Sequence, residues 1–189
     1  MRQYRMNIIC IGDSLTEGYV TKNTARYYPY STTLKRILSK KHKNIHVHNV
    51  GLSGKTSHLI LQNLKRLDLT KYNIAIILAG TNDLLHKTNR YIMNKLKEIH
   101  NYCLTQGISH IYALSLPQIH FDRPLRESKR LILNSRLNTW CKSTTYITYI
   151  PFGEKFMYNK HSKIWAHNGY HLSPSGYKHM GEFISKKII

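Results

Sequence analysis

Four short stretches of this 189-residue chain carry side chains that could do chemistry. Near the N-terminus GDSLTEG, Gly12 to Gly18, follows the apolar run IICI. That setting puts the Ser14 hydroxyl on a tight turn, where backbone N–H groups can support an anion. The ordinary alternative is a serine that only caps a helix. Further on, NVGLSGKT ends with Gly54, Lys55 and Thr56, the second half of the phosphate-loop pattern G-x-x-x-x-G-K-[ST]. Asn49 stands where that pattern needs its first glycine. AGTNDL supplies Gly80, Asn82 and Asp83, and HNGYHLSPSGY supplies His171. Singly, an asparagine in a loop is usually a turn residue, and His171 is one of twelve histidines.

These stretches need a scaffold, and the apolar pattern outlines one. Runs rich in Ile, Val and Leu at 7–11, 45–49, 74–78, 110–114 and 145–149 read as buried strands. Between them, 30–41, 57–67, 88–105 and 127–141 repeat apolar residues at three and four, the period of a helix. Ser173-Pro174 reads as the start of a last helix, with a serine cap and proline at the first helical position. Gly107 suits the stop of the third helix. Strand and helix in strict alternation imply a five-stranded parallel sheet covered on both faces, an α/β/α sandwich in one domain over 1–189. Ligands of such folds bind beyond the carboxyl ends of the strands. The four stretches fall at those ends or just before the last helix.

Composition narrows the function classes. No run is apolar for the ~18 residues of a membrane span, and MRQYRMN is followed by too short an apolar run for a secretory signal. Cys10, Cys103 and Cys141 are odd in number and widely spaced, which reads as free buried thiols in a reducing, cytoplasmic setting. No metal or cofactor is expected. Against 29 Lys and Arg the chain has 9 Asp and Glu, a net charge of +20. A/T-rich codons explain frequent Lys, Asn, Ile and Tyr but not scarce acids. A positive field favours an anionic substrate, an anionic lipid surface or nucleic acid, although the basic residues are scattered and form no nucleic-acid motif. The oligomeric state is open.

Together the stretches are far more specific than any one of them. GDSL near the N-terminus, a glycine loop after strand two, GTND after strand three and a late H-L-S-P-x-G-Y resemble the GDSL/SGNH hydrolase family from Gly12 to Tyr177. The resemblance implies a flavodoxin-like sheet of the SGNH type and an esterase. It also implies Ser14 as nucleophile and His171 as general base. Gly54 (through its N–H), Asn82 (through its amide) and the Ser14 N–H would form the oxyanion hole. Gly54 is then expected to leave room, free of a Cβ, for a backbone N–H to approach a developing oxyanion.

One position departs from the pattern. The family carries Asp three residues before its histidine, and this chain has Asn168. The acid of a triad fixes the histidine tautomer and stabilises the imidazolium; asparagine is expected to do the first and not the second. From 155 to 189 the only carboxylate is Glu182, and a backbone carbonyl or Asp122 is the remaining candidate for orienting His171. His46 and His48 could form a metal pair at i, i+2 but lack a third ligand. Tyr27, Tyr28 and Tyr30 could line a substrate mouth. The leading expectation is a serine hydrolase acting on small esters; the rival is an impaired member of the fold that binds RNA or another polyanion.

Overall fold

The computed structural model describes residues 5–21, 26–119 and 124–188. Five strands form one parallel sheet: β1 (Met6–Gly12), β2 (Ile45–Gly51), β3 (Ile74–Leu78), β4 (His110–Leu114) and β5 (Ile147–Ile150). Their order is β2-β1-β3-β4-β5, the flavodoxin-like order. All five residues of β3 are buried, as a central parallel strand covered on both faces requires. The edge strand β2 keeps Ile45 buried and exposes His46 and His48.

The helices are α1 (Ser14–Glu17), α2 (Tyr30–Leu38), α3 (Ser57–Leu64), α4 (Asn89–Thr105), α5 (Pro124–Lys142), α6 (Phe152–Lys155) and α7 (Pro174–Ser185). Helix α2 packs against α7, while α3, α4 and α5 contact one another in series. The general right-handedness of parallel crossovers puts these two groups on opposite faces of the sheet. Buried stripes explain the packing: α2 turns Tyr30, Leu34 and Leu38 inward, and α4 turns Ile92, Leu96, Ile99 and Cys103 inward. Gly107, at φ +93°, ends α4 in a Schellman turn, with the Ile108 N–H donating to Cys103 O and the Gly107 N–H to Leu104 O. Among the described residues no helix is long and apolar enough to cross a membrane.

Several element ends differ from the sequence expectation. Helix α2 stops at Leu38 and α3 at Leu64, where tighter turn bonds such as Lys40 N to Ile37 O and Leu67 N to Leu64 O take over. Strand β5 begins at Ile147 instead of Thr145, since Thr144 belongs to a turn back onto Cys141 O. Helix α5 starts at Pro124, three residues before the apolar period is visible. Proline suits a first turn. That turn is also held by contacts from the next helical turns to the GTND loop: Arg126 reaches Thr81 O at 3.4 Å, and Lys129 donates to Leu84 O at 2.8 Å.

Register is what positions the chemistry. Gly12, the last residue of β1, lies opposite Gly51 of β2 on one side and Leu78 of β3 on the other. The GDSL, NVGLSGKT and AGTNDL turns therefore leave the sheet at one level, side by side. The approach of β2 to α1 is so close that a Cβ on Gly51 would lie 2.1 Å from the Glu17 backbone nitrogen. Gly51→Ala is therefore expected to destabilise the fold by about 1–3 kcal/mol or more through overpacking against backbone, read as a lower urea midpoint at unchanged m-value.

Candidate active site

Ser14 is the first residue of α1, and the turn that presents it is built by its neighbour. The Asp13 carboxylate caps the helix by accepting from the Leu15 N–H at 3.0 Å. Asp13 is almost fully buried, and that burial pushes its carboxyl up to about 6. The Ser14 N–H, at the start of this helix, has no acceptor among the described residues. At the other end of α1, Glu17 accepts from both the backbone N–H and the hydroxyl of Ser53. That carboxylate fastens the Gly54 loop to the helix carrying Ser14.

Gly54 sits at φ +72° with its N–H unpaired among the described residues. A Cβ added there would meet no atom within 4 Å. No protein atom therefore excludes a side chain at this point, and the room expected there is room for a reacting oxyanion. The left-handed backbone independently favours glycine, since other residues are strained in that region. Asn82 donates one amide hydrogen to Lys55 O at 3.0 Å, and its second hydrogen has no acceptor among the described residues. Behind it, buried Asp83 accepts from the Ser57 N–H at 2.8 Å and from the Ser57 hydroxyl at 2.9 Å. Asp83 therefore satisfies an open N–H of α3 and locks the GTND loop to the segment that follows Gly54.

His171 arrives from the far end of the chain. Ser173 caps α7 by accepting from the Gly176 N–H, with Pro174 at the first helical position as the sequence implied. The Ala166 N–H donates to His171 O, and Trp165 bridges Leu172. Tyr177 donates its hydroxyl to Tyr19 O at 2.5 Å, tying α7 to the segment after α1. The result is a His171 Nε2 to Ser14 Oγ distance of 3.0 Å. The Tyr19 ring packs edge-on against the imidazole at 4.9 Å.

On its other side His171 Nδ1 lies 3.1 Å from Asn168 Nδ2, and that same amide donates to Val20 O at 2.8 Å. Asn168 Oδ1 accepts from the N–H groups of Tyr170 and His171. Burial pushes the imidazole down to about 4, and no carboxylate among the described residues offsets that shift. Glu182 sits inside α7 and makes no contact with His171. Asp122 lies outside the described residues. The sequence thus named Ser14, His171 and Asn168 as partners. It gave no sign of the Val20 carbonyl, because a backbone acceptor leaves no trace in residue type.

The remaining candidates sort readily. His48 Nδ1 pairs with the Tyr72 hydroxyl at 2.6 Å, and no group of three or more His, Cys, Asp or Glu among the described residues could hold a metal. The three thiols are free and buried, and burial pushes each up to about 12. Tyr30 is fully buried in the core, which corrects its placement at a substrate mouth. Tyr27 and Tyr28 do line an open groove of about 250 Å³ with Pro29, Pro174 and Lys178. The Tyr27 ring lies 6.2 Å from the Tyr19 ring that abuts His171.

Comparisons with known proteins agree with this architecture. A family model described as GDSL-like Lipase/Acylhydrolase family matches residues 10–179. Comparison with the curated proteins gives no match. Among solved structures, the lipase/acylhydrolase from Enterococcus faecalis superposes with a TM-score of 0.78 at 20% identity, covering 97% of this chain and 95% of that one. A lipase from a goat rumen metagenome gives 0.80 at 16% identity, with 96% of each chain covered. A catalytic mutant of an acetylxylan esterase from Geobacillus stearothermophilus gives 0.77 at 16% identity, covering 98% of this chain and 95% of that one. Likeness at such low identity speaks for the fold.

Asp83 holds two of the site's loops in place, and its removal should be felt in stability. Asp83→Ala strands the buried Ser57 donors and is expected to cost about 2–3 kcal/mol, measured by chemical denaturation. Asp68→Ala, at an exposed carboxylate, serves as the control and should change stability little.

Proposed function

The chain belongs to the GDSL-like lipase/acylhydrolase family, and from that premise we propose that it is a serine hydrolase cleaving carboxylic esters through Ser14 and His171. The supporting observation is the 3.0 Å contact between His171 Nε2 and Ser14 Oγ. A serine hydroxyl is a weak nucleophile until a base within hydrogen-bond reach takes its proton. Ser14 Oγ attacks the acyl carbon while His171 Nε2 receives that proton. The tetrahedral oxyanion is stabilised by the N–H groups of Ser14 and Gly54 and the free amide hydrogen of Asn82. Each such donor is worth about 2.7–4 kcal/mol of barrier. His171 then protonates the leaving alcohol, and water releases the acyl group from Ser14 by the same route in reverse.

Among the described residues strands and helices run in simple alternation without an inserted lid, which favours a small ester, and thioesters and O-acetyl groups are open to the same chemistry. The excess of positive charge favours an anionic substrate through steering. One observation favours a second reading, an impaired hydrolase that binds RNA or another polyanion. It is the amide of Asn168, which faces His171 where a carboxylate would stabilise the imidazolium.

Turnover of a short-chain p-nitrophenyl ester by wild type and by Ser14→Ala separates the two. Ser14→Ala is expected to fall to the rate of buffer alone, and equal rates for both proteins remove the hydrolase reading. RNA affinity that falls steeply with salt, together with no turnover, would favour the second reading instead. The pH profile gives a further expectation. His171 acts as base only when neutral, and its folded value is lowered from 6.5 to about 4. The acid limb of kcat/KM should therefore fall as pH drops through about 4, with activity intact at pH 6.

A further inference from the structure

The hydrogen bonds around Asn168 fix more than the orientation of a ring. Its Oδ1 accepts from the Tyr170 N–H at 2.9 Å and the His171 N–H at 3.1 Å. Its Nδ2 donates to Val20 O at 2.8 Å. These three bonds define which end of the amide is which. Turning the amide over would set Oδ1 against the Val20 carbonyl oxygen and the NH₂ against two backbone N–H groups, losing all three. With the amide so fixed, the atom facing His171 Nδ1 at 3.1 Å is a donor nitrogen with one hydrogen left to give. A ring nitrogen that accepts a hydrogen bond carries no proton, and a neutral imidazole has only one to place.

We infer that Asn168, locked by the Val20 carbonyl, holds resting His171 as its Nε2–H tautomer, so that the imidazole donates to Ser14 Oγ instead of accepting from it. This inference rests on the Ser14–His171 reading above and adds a constraint to it. Asparagine then fixes a tautomer, but the one that cannot accept the serine proton. For His171 to act as base, its proton must first leave Nε2 and settle on Nδ1. There it faces the Asn168 N–H, donor against donor. Asn168 and Val20 are thus positioning residues that keep the pair idle for most of its time. In a serine protease, the change from Asp to Asn at the orienting position slows turnover about 10⁴-fold through the same wrong tautomer.

The test is the ¹⁵N spectrum of His171 in the intact wild-type chain at pH 7, assigned by comparison with His171→Gln. Nε2 is expected to carry the proton-bearing, pyrrole-type signal and Nδ1 the pyridine-type signal. The reverse pattern overturns the inference, and this measurement needs no substitution at Asn168. In Asn168→Asp the two signals are expected to exchange. Ser14-dependent ester turnover should rise between about 10- and 10⁴-fold, short of the upper figure because the new carboxylate oxygen meets the Val20 carbonyl. An Asn168→Asp protein that retains the wild-type pattern overturns the role given to the amide. Absence of turnover in both proteins would sink the hydrolase reading while leaving the tautomer assignment to the spectrum.

Discussion

A 3.0 Å contact between side chains 157 residues apart depends on nearly every other feature of this structure. Ser14 is carried by the end of β1, and His171 by the turn before α7. Neither can reach the other unless the sheet is complete and α7 lies against α2. The Tyr177 hydroxyl on Tyr19 O and the Asn168 amide on Val20 O cross the same gap, so several hydrogen bonds join the two ends of the chain at one place. Holding them together opposes a large loop-closure entropy, which the core between them offsets. The site is therefore a consequence of global packing, with little local stability of its own.

The loops around that contact are tied by carboxylates, although the chain has few. Asp13 caps α1, Glu17 holds Ser53, and Asp83 holds Ser57. Other acids make local ion pairs on the surface, such as Lys71 with Asp68 and Lys95 with Glu98. What meets the Ser14 hydroxyl is different in kind, the imidazole of His171 at 3.0 Å. In the proposed mechanism, negative charge on a reacting oxygen falls to the N–H groups of Ser14 and Gly54 and to the Asn82 amide. The long-range field of the basic surface points the same way.

Much of the fold was legible because burial on both faces leaves its own mark. The run IAIIL reads as a buried strand, and all five of its residues are buried. Helix ends were less legible. The stop at Gly107 was readable because a left-handed turn selects for glycine, but the start of α5 at Pro124 was not, since its first turn is held partly by contacts to the loop after β3. Gly54 shows a subtler limit. Its type was recognised from the room an oxyanion needs, while the left-handed backbone that also favours glycine became visible only in the structure.

Residue type and hydrophobic period are local properties, so which residues could react, and roughly where in the alternation of strand and helix they lie, could be read from the chain. It also revealed that an amide replaces the usual acid at Asn168. Only the tertiary structure decided what that amide does. Its direction is set by the Val20 carbonyl and two backbone N–H groups, and backbone atoms are the same in every residue. Hydrogen-bond polarity at a site built from distant segments becomes visible only once those segments have met.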